Sequence, residues 1–130
     1  MVGGSQAVLD MSVQYAKERT QFGKPIGTFQ AIQHYCANML TDVEGSRYIT
    51  YEAACKISEG LPAAKEASMA KAWVNDASQR VSLLGHQIYG AMGFTMEIDL
   101  HLYYRRAKAG AQAFNDSNHH REVVAGELGL

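Results

Sequence analysis

The sequence predicts an all-α fold, an up-and-down four-helix bundle with a short additional helix near the C-terminus. Apolar residues recur at spacings of three and four through most of the chain, and no stretch shows the β-branched alternation that is typical of a strand. Only two prolines occur, Pro25 and Pro62, and both lie where the helical periodicity breaks. Because 47% of the 130 residues are hydrophobic, we expect residues 1–130 to form a single helical domain around one core.

The first predicted helix runs from about residue 3 to residue 20. Its apolar face is formed by the helical series Val8, Met11 and Tyr15. The dipeptides Phe22-Gly23 and Lys24-Pro25 then predict a turn, because glycine and proline favour the backbone conformations that end a helix.

A long second helix is predicted from an N-cap at Thr28 to Ser58, with Gly60 as its C-cap. Both cysteines, Cys36 and Cys55, fall in this helix, and a rise of about 1.5 Å per residue separates them by nearly 30 Å. They cannot form a disulfide with each other. We expect both to be buried packing residues of a protein from a reducing compartment.

The third helix is predicted to begin near Pro62 and to end at Gly90 and Gly93. Its apolar stripe alternates spacings of four and three almost without error, through Ala70, Val74, Ala77, Val81, Leu84 and Ile88. A further helix is predicted over Leu102–Ala113. The last helix, Asn118–Glu127, follows three candidate capping residues, Asn115, Asp116 and Ser117.

The charge pattern excludes several classes of function. The formal net charge is −1, with 12 Lys and Arg residues against 13 Asp and Glu residues, so no global field favours nucleic acid or an acidic membrane. No run reaches the roughly 18 apolar residues of a membrane helix, and we expect a cytoplasmic protein. Adjacent histidines on a helix, such as His119 and His120, point about 100° apart, so no metal site is expected.

The segment Arg19-Thr-Gln-Phe-Gly-Lys-Pro-Ile26, followed by Phe29-Gln-Ala-Ile-Gln-His34, combines a cation, an aromatic ring and a tight glycine turn at one helix end. A guanidinium presents a planar fork of donors that suits phosphate. The segment therefore predicts a docking edge for a large planar ligand that carries phosphate. The alternative is a surface arginine that caps its own helix beside a core phenylalanine.

These motifs resemble the acyl-CoA dehydrogenase flavoprotein family. The resemblance begins with Tyr15-Ala-Lys-Glu-Arg-Thr-Gln-Phe-Gly-Lys-Pro-Ile26 and continues through Ala67-Ser-Met-Ala-Lys-Ala72, His86-Gln-Ile-Tyr-Gly-Ala-Met-Gly-Phe94 and Tyr104-Arg-Arg-Ala-Lys108. In that family these motifs belong to the C-terminal helical domain. The N-terminal helical domain and the middle β domain, which carry much of the flavin and thioester pocket, have no counterpart in residues 1–130.

The resemblance implies contacts with FAD, bound mainly by the complete protein. Counterparts of Arg19 and Phe22 reach the FAD of a neighbouring subunit, with the arginine directed toward the pyrophosphate. The remaining implied contacts are Gln21, Ile26, Phe29, Gln87, Ile88 and Ala91. Gly90 and Gly93 are expected to permit close approach of the backbone to the cofactor, because they lack a Cβ atom. The family more often has glycine where this chain has Ala91.

The family's reaction needs a carboxylate that removes the α-proton of an acyl-CoA thioester while a hydride passes to the flavin. An ungapped count from Ala107-Lys108 places Phe114 at the position where many members have this glutamate. Asp116 is the nearest carboxylate, with a shorter side chain and a shifted register, and an N-cap is its alternative role. Other members carry the base at a position that would lie just before Met1.

Two classes of function remain open. The first is the C-terminal domain of an FAD-dependent acyl-CoA dehydrogenase, acting on acyl-CoA in a homo- or hetero-oligomer, a dimer or tetramer, with electron-transfer flavoprotein as a possible acceptor. The second is a non-catalytic helical interaction module or partner subunit that is derived from that family and has lost the base. Phe114 and Ala91 are the sequence marks of the second class.

Overall fold

Five α-helices and one short β-hairpin make up the fold of the computed structural model, which describes residues 1–130. The all-α prediction is therefore confirmed. The hairpin follows the first helix. The fold also contains two short 3-10 helices: Ile26–Thr28 follows the hairpin, and Gly90–Phe94 follows the third α-helix. In chain order the helices and strands are α1 (Val2–Glu18), β1 (Thr20–Gln21), β2 (Lys24–Pro25), α2 (Gln30–Ser58), α3 (Ala64–Tyr89), α4 (Leu100–Gln112) and α5 (Ser117–Glu127).

Helix α3 lies at the centre and packs against all four other helices. Its buried face is rich in small side chains, among them Ala77, Ser78, Ser82 and Gly85, which let neighbouring helices approach closely. The predicted apolar stripe is buried except at Leu84, which is only partly covered. Several fully buried side chains from α1 to α4 close the core, namely Val8, Met39, Val43, Val81 and Leu100.

The hairpin corrects the expectation that the chain contains no strand. Thr20 pairs with Pro25 and Gln21 with Lys24, so Phe22 and Gly23 form a two-residue turn. Both turn residues have positive φ, 53° and 77°, as the hairpin turn with a right-handed twist requires. Strands of two residues are too short to show an alternating pattern, which is why the sequence did not indicate them.

Several predicted helix ends are displaced because local side chains make other contacts. The Thr28 hydroxyl donates to Pro25 O at 2.8 Å, so Phe29 rather than Thr28 occupies the N-cap position of α2. Gly60 follows the end of α2 with φ +69°, in agreement with its predicted role. Pro62 precedes α3 instead of lying in its first turn. Asp116 caps α5 as proposed, accepting from His119 N at 3.0 Å.

The two cysteines are less buried than the sequence suggested. Cys55 is exposed on the outer side of α2, and Cys36 is only partly covered. Burial raises the pKa of the Cys36 thiol, which keeps this group protonated near neutral pH. The expectation of a buried packing residue was therefore wrong for Cys55, because the end of α2 turns only Ala53 into the core, whereas Cys36 is partly buried and packs against the core.

A polar cluster fixes the end of α4 against α3. Lys71 Nζ donates to Gly110 O and to the Asn75 side chain, both at 2.7 Å, and Asn75 Nδ2 donates to Ala111 O at 3.3 Å. These bonds satisfy carbonyls that the end of α4 leaves free. Partial burial lowers the pKa of Lys71. None of the five helices is both long enough and apolar enough to span a membrane.

Candidate functional site

A cleft of about 510 Å³ opens between the β-hairpin, the start of α2 and the end of α3. The end of α1, the start of α2 and the end of α3 therefore meet in one place. Fourteen residues line it, and ten of them are hydrophobic. They are Tyr15, Arg19, Gln21, Phe22, Ile26, Phe29, Ala31, Ile32, Gln87, Ile88, Tyr89, Gly90, Ala91 and Met92.

The hairpin holds an aromatic edge on one side of the cleft. The Phe22 ring is 91% exposed and lies edge-on to the Phe29 ring, with centroids 6.1 Å apart. Lys24 Nζ sits 4.5 Å from the centroid of the Phe29 ring. A non-glycine residue with positive φ costs free energy, and Phe22 does not recover that cost by burial within the chain. Packing within the chain therefore does not account for the exposed Phe22 ring, which is open to a ligand in the cleft.

Arg19 supplies the positive charge of this side. Its backbone is fixed, because the N–H donates to Tyr15 O and the carbonyl accepts from Ile26 N, both at 2.8 Å. Its side chain is exposed and makes no salt bridge, in contrast to Arg47, Arg80 and Arg121. The guanidinium is thus free to bind an anion in the cleft.

The end of α3 forms the opposite wall. The Tyr89 ring stacks on the Tyr15 ring, with centroids 4.1 Å apart and planes 14° apart, and the Tyr89 hydroxyl donates to Met11 O at 3.1 Å. Burial raises the pKa of Tyr89, so the phenol is neutral at physiological pH. Gly90, with φ +60°, then turns the chain so that Ala91 and Met92 extend the wall.

All eight residues proposed from the sequence as cofactor contacts line this one cleft, although they come from two segments far apart in the chain. Sequence reasoning missed five further lining residues. Tyr15 could have been found, since it precedes Arg19 by one helical turn, whereas the others depend on tertiary packing. The missed residues are Tyr15, Ala31, Ile32, Tyr89 and Met92.

Gly93 was expected to permit close approach of the backbone to the cofactor, but the structure gives it a role in internal packing. A Cβ atom on Gly93 would meet Tyr89 Cβ at 3.1 Å and Leu100 Cδ2 at 3.2 Å, so this glycine is required by internal packing and does not line the cleft. Gly90 does line it. The methyl group of Ala91 is exposed at the cleft wall, where it narrows the approach to the backbone.

The lining defines the chemistry that the cleft can accept. One guanidinium and the amides of Gln21 and Gln87 are the polar groups, aromatic and aliphatic side chains form the rest, and no acidic residue is present. This set suits a ligand with flat apolar rings and a negatively charged portion.

A family model described as "Acyl-CoA dehydrogenase, C-terminal domain" matches residues 1–129.

The chain belongs to the acyl-CoA dehydrogenase family.

Relatives within the acyl-CoA dehydrogenase family match nearly all of the chain. It is 36% identical over 125 residues to the short-chain specific acyl-CoA dehydrogenase of Megasphaera elsdenii, covering 96% of this chain and 32% of the relative. It is also 36% identical over 128 residues to a probable short/branched chain specific acyl-CoA dehydrogenase of Dictyostelium discoideum, covering 98% and 31%. The chain thus spans about a third of the length of these acyl-CoA dehydrogenases.

Solved structures of other proteins share the fold. Butyryl-CoA dehydrogenase from Megasphaera elsdenii superposes with a TM-score of 0.96 at 34% identity, over 99% of this chain and 34% of that one. The FAD complex of PigA superposes with a TM-score of 0.95 at 28% identity, over 99% and 34%. The arrangement of helices is therefore that of the C-terminal domain of acyl-CoA dehydrogenases.

The loop between α4 and α5 holds Phe114, which the ungapped count placed at the position of the expected glutamate, and Asp116, the candidate base. Phe114 has φ 58° and is 90% exposed, and its carbonyl accepts from His120 Nε2 at 2.9 Å. The Asp116 carboxylate accepts the backbone N–H of His119. Neither residue lines the cleft. The hydrogen bond of Asp116 supports a capping role.

We expect replacement of Asp116 by alanine to lower the free energy of unfolding by about 1 kcal/mol, because α5 loses its only side-chain N-cap bond. Asp116→Asn should remain within a few tenths of a kcal/mol of the wild type, because asparagine caps equally well. Urea unfolding measures both values. Equal free energies of unfolding for Asp116→Ala and the wild type would contradict the capping role.

Proposed function

We propose that this chain acts as the C-terminal helical domain of a longer FAD-dependent acyl-CoA dehydrogenase and that its cleft holds part of the FAD. The observation that carries this proposal is the convergence of the hairpin segment and the end of α3 on one cleft whose polar groups are donors or neutral amides. The family assignment and the match to an FAD complex support it.

Each side chain has a role in the proposal that follows from its chemistry. Arg19 binds the pyrophosphate, because its guanidinium has no competing carboxylate and offers two parallel donors. Phe22 lies beside that group and shields it from water. Gln21 and Gln87 hydrogen-bond polar edges of the cofactor. Apolar walls are supplied by Ile26, Phe29, Ile88 and Ala91.

The proposed reaction is α,β-dehydrogenation of an acyl-CoA thioester. When bound, the flavin accepts the hydride that leaves the β-carbon. The part of this chain is to hold and orient the cofactor and to keep water from its apolar surfaces. A base must then come from Asp116 or from residues outside this segment, because Phe114 has no titratable group.

We further propose that the complete enzyme is a cytoplasmic homo- or hetero-oligomer, a dimer or tetramer, in which the cleft faces the FAD of a neighbouring subunit. The exposure of Phe22, with its φ of 53°, supports a partner that covers this ring. Electron-transfer flavoprotein is the proposed electron acceptor. One relative, 35% identical over 127 residues, carries the name "Caffeyl-CoA reductase-Etf complex subunit CarC" and comes from Acetobacterium woodii.

A second function is favoured by one observation, the aromatic residue in the α4–α5 loop. If no other carboxylate supplies the base that Phe114 cannot supply, the chain is a partner subunit or helical interaction module. It then keeps the cleft but does not take part in dehydrogenation. Assays of the complete enzyme distinguish the two functions. The second function would be favoured if the wild type and the Asp116→Asn variant both bound FAD and neither turned over an acyl-CoA substrate.

Titration with FAD tests the cofactor proposal. We expect weak, saturable quenching of flavin fluorescence by the 130-residue chain at high concentration. Gln87→Ala should weaken binding about threefold to tenfold, as loss of one neutral hydrogen bond implies. Gln112→Ala, at an exposed site on α4 outside the cleft, is the matched control and should bind as the wild type does. Absence of binding would show that the isolated chain does not hold FAD, and equal weakening by both changes would contradict a contact between Gln87 and the cofactor.

A further inference from the structure

Two tyrosine rings stack where the end of α1 meets the end of α3. Tyr15 belongs to the last turn of α1, and Tyr89 is the last residue of α3. Both residues line the cleft. We propose that Tyr15 and Tyr89 form a positioning pair that holds Arg19 in place for its ligand, an inference that rests on the proposed function of the cleft.

The Tyr89 side chain contacts α1 at two points. Its buried ring lies nearly parallel to the Tyr15 ring, with centroids 4.1 Å apart and planes 14° apart, and its hydroxyl donates to Met11 O at 3.1 Å. Met11 and Tyr15 are four residues apart, so they lie on the same face of α1, one turn from each other. The Tyr89 side chain therefore spans one turn of α1 and restricts its sliding and rotation against α3.

The position of Arg19 depends on the turn of α1 that Tyr89 contacts. The Arg19 N–H donates to Tyr15 O at 2.8 Å, and the backbone of Arg19, with φ −69° and ψ 120°, leaves the helix at once. The Arg19 guanidinium makes no salt bridge, so no ion pair within the chain fixes its direction. A shift of Tyr15 is therefore carried to Arg19 through the backbone.

The hairpin moves with the same end of α1. Arg19 O accepts from Ile26 N at 2.8 Å, which closes the base of the hairpin on Arg19. A Cβ atom on Gly27 would approach Ala16 O to 3.0 Å, so the segment after the hairpin also lies directly against α1. The hairpin side of the cleft is thus joined to the turn that carries Tyr15.

The opposite wall of the cleft belongs to the helix end that carries Tyr89. Gln87 lies two residues before Tyr89, and Gly90 follows it. A ligand that contacts both walls binds when their separation matches its own length, and its apparent affinity falls with the fraction of molecules that have this separation. The positioning pair joins the two walls, so it holds Arg19 at a fixed distance from the end of α3 before the ligand arrives.

Tyr89→Leu tests the stacking, because leucine keeps an apolar side chain and removes the aromatic pair. FAD binding by the 130-residue chain should weaken about tenfold, as expected if the competent arrangement falls to about a tenth of the population. Added salt should weaken FAD binding by Tyr89→Leu less than binding by the wild type, because Arg19 no longer meets the negative charge of FAD. A ring that only filled space would leave the salt response unchanged.

Three further variants complete the comparison. Tyr89→Phe keeps the stack and should bind FAD within about threefold of the wild type, with the salt response retained. Tyr15→Leu removes the same stack from the partly exposed side, so it should reproduce both effects even if Tyr89→Leu does not fold. Tyr48→Leu removes an exposed tyrosine of α2 outside the cleft and is the matched control. Thermal unfolding checks that each variant is folded.

Amide hydrogen exchange tests the positioning pair without any ligand. Loss of the stack in Tyr89→Leu or Tyr15→Leu should speed exchange of the Arg19 N–H about tenfold, because the last turn of α1 opens more often. Tyr89→Phe and Tyr48→Leu should leave this exchange rate as it is in the wild type.

Two results would overturn the inference. One is an unchanged exchange rate of the Arg19 N–H in the folded leucine variants of the pair. The other is FAD binding by these variants with wild-type affinity or with a wild-type salt response, which would show that the pair does not act through Arg19. If the wild type itself binds no FAD, that result bears on the proposed function, and the exchange of the Arg19 N–H still decides whether the pair holds this residue.

Discussion

Gly85→Val should lower the free energy of unfolding by about 3 kcal/mol, because overpacking a rigid core forces side chains and backbone to shift. Gly85 lies where α3 meets both α1 and α4. A Cβ atom there would approach Val8 Cγ1 to 2.7 Å, Leu100 Cδ1 to 3.3 Å and Ser12 Oγ to 3.4 Å. These three neighbours are fully buried, so none has open space into which it can move.

The neighbours of Gly85 are also conformationally restricted. Val8 is β-branched and has essentially one χ1 rotamer in a helix. The Ser12 hydroxyl donates to Val8 O at 2.7 Å and would lose that bond on moving. Gly85→Ala should therefore also destabilise, although the better helix propensity of alanine offsets about 1 kcal/mol.

Gly3→Val is the matched control for Gly85→Val. Gly3 lies in α1, and no atom falls within 4 Å of its added Cβ. We expect a change within about 0.5 kcal/mol. Chemical denaturation of the two valine variants measures the difference. A similar free energy of unfolding for Gly85→Val and Gly3→Val would show that the three helices are not packed as closely as described.

Arg19→Ala should weaken FAD binding about 10- to 100-fold, the largest effect expected of any single cleft residue. A hydrogen-bonded pair that includes a charged group contributes about 1.5 to 3 kcal/mol. Arg19 is the only cationic side chain among the residues that line the cleft, and the nearby Lys24 lies over the Phe29 ring and lacks the planar fork of donors. Arg19→Lys should be intermediate, since it keeps the charge and loses the planar fork.

Salt dependence separates a phosphate contact from a structural role of Arg19. Added salt should weaken FAD binding by the wild type more than binding by Arg19→Ala, because screening acts on the lost charge pair. Arg105 is an exposed arginine that does not line the cleft, so Arg105→Ala should retain wild-type affinity and salt response. Equal affinities of Arg19→Ala and the wild type would contradict a phosphate contact at this position.

The helices could be predicted from the sequence because their packing repeats with the helical period. The stripe through Ala70, Val74 and Val81 is buried as the spacing indicates, since each residue turns the same face of α3 toward its neighbours. The caps were less predictable. Thr28 has the composition of an N-cap, yet its hydroxyl reaches Pro25 O, a contact that depends on the preceding hairpin.

The cofactor cleft shows what could not be predicted from the sequence alone. The eight predicted cleft residues were proposed through a family resemblance, not through spacing, because no local pattern connects Arg19 with Gln87. The stacked pair of Tyr15 and Tyr89 was missed for the same reason, since it exists only once α1 lies against α3.

Photolabelling by an FAD analogue with an azide on its adenine ring tests the central claim, that the hairpin segment and the end of α3 bind one cofactor. The account predicts covalent label in peptides that contain residues 19–29 and in peptides that contain residues 87–91. Excess FAD should suppress both labels, and Arg19→Ala should reduce both together. Label confined to other parts of the chain, or label that excess FAD does not suppress, would contradict the cleft as the cofactor site.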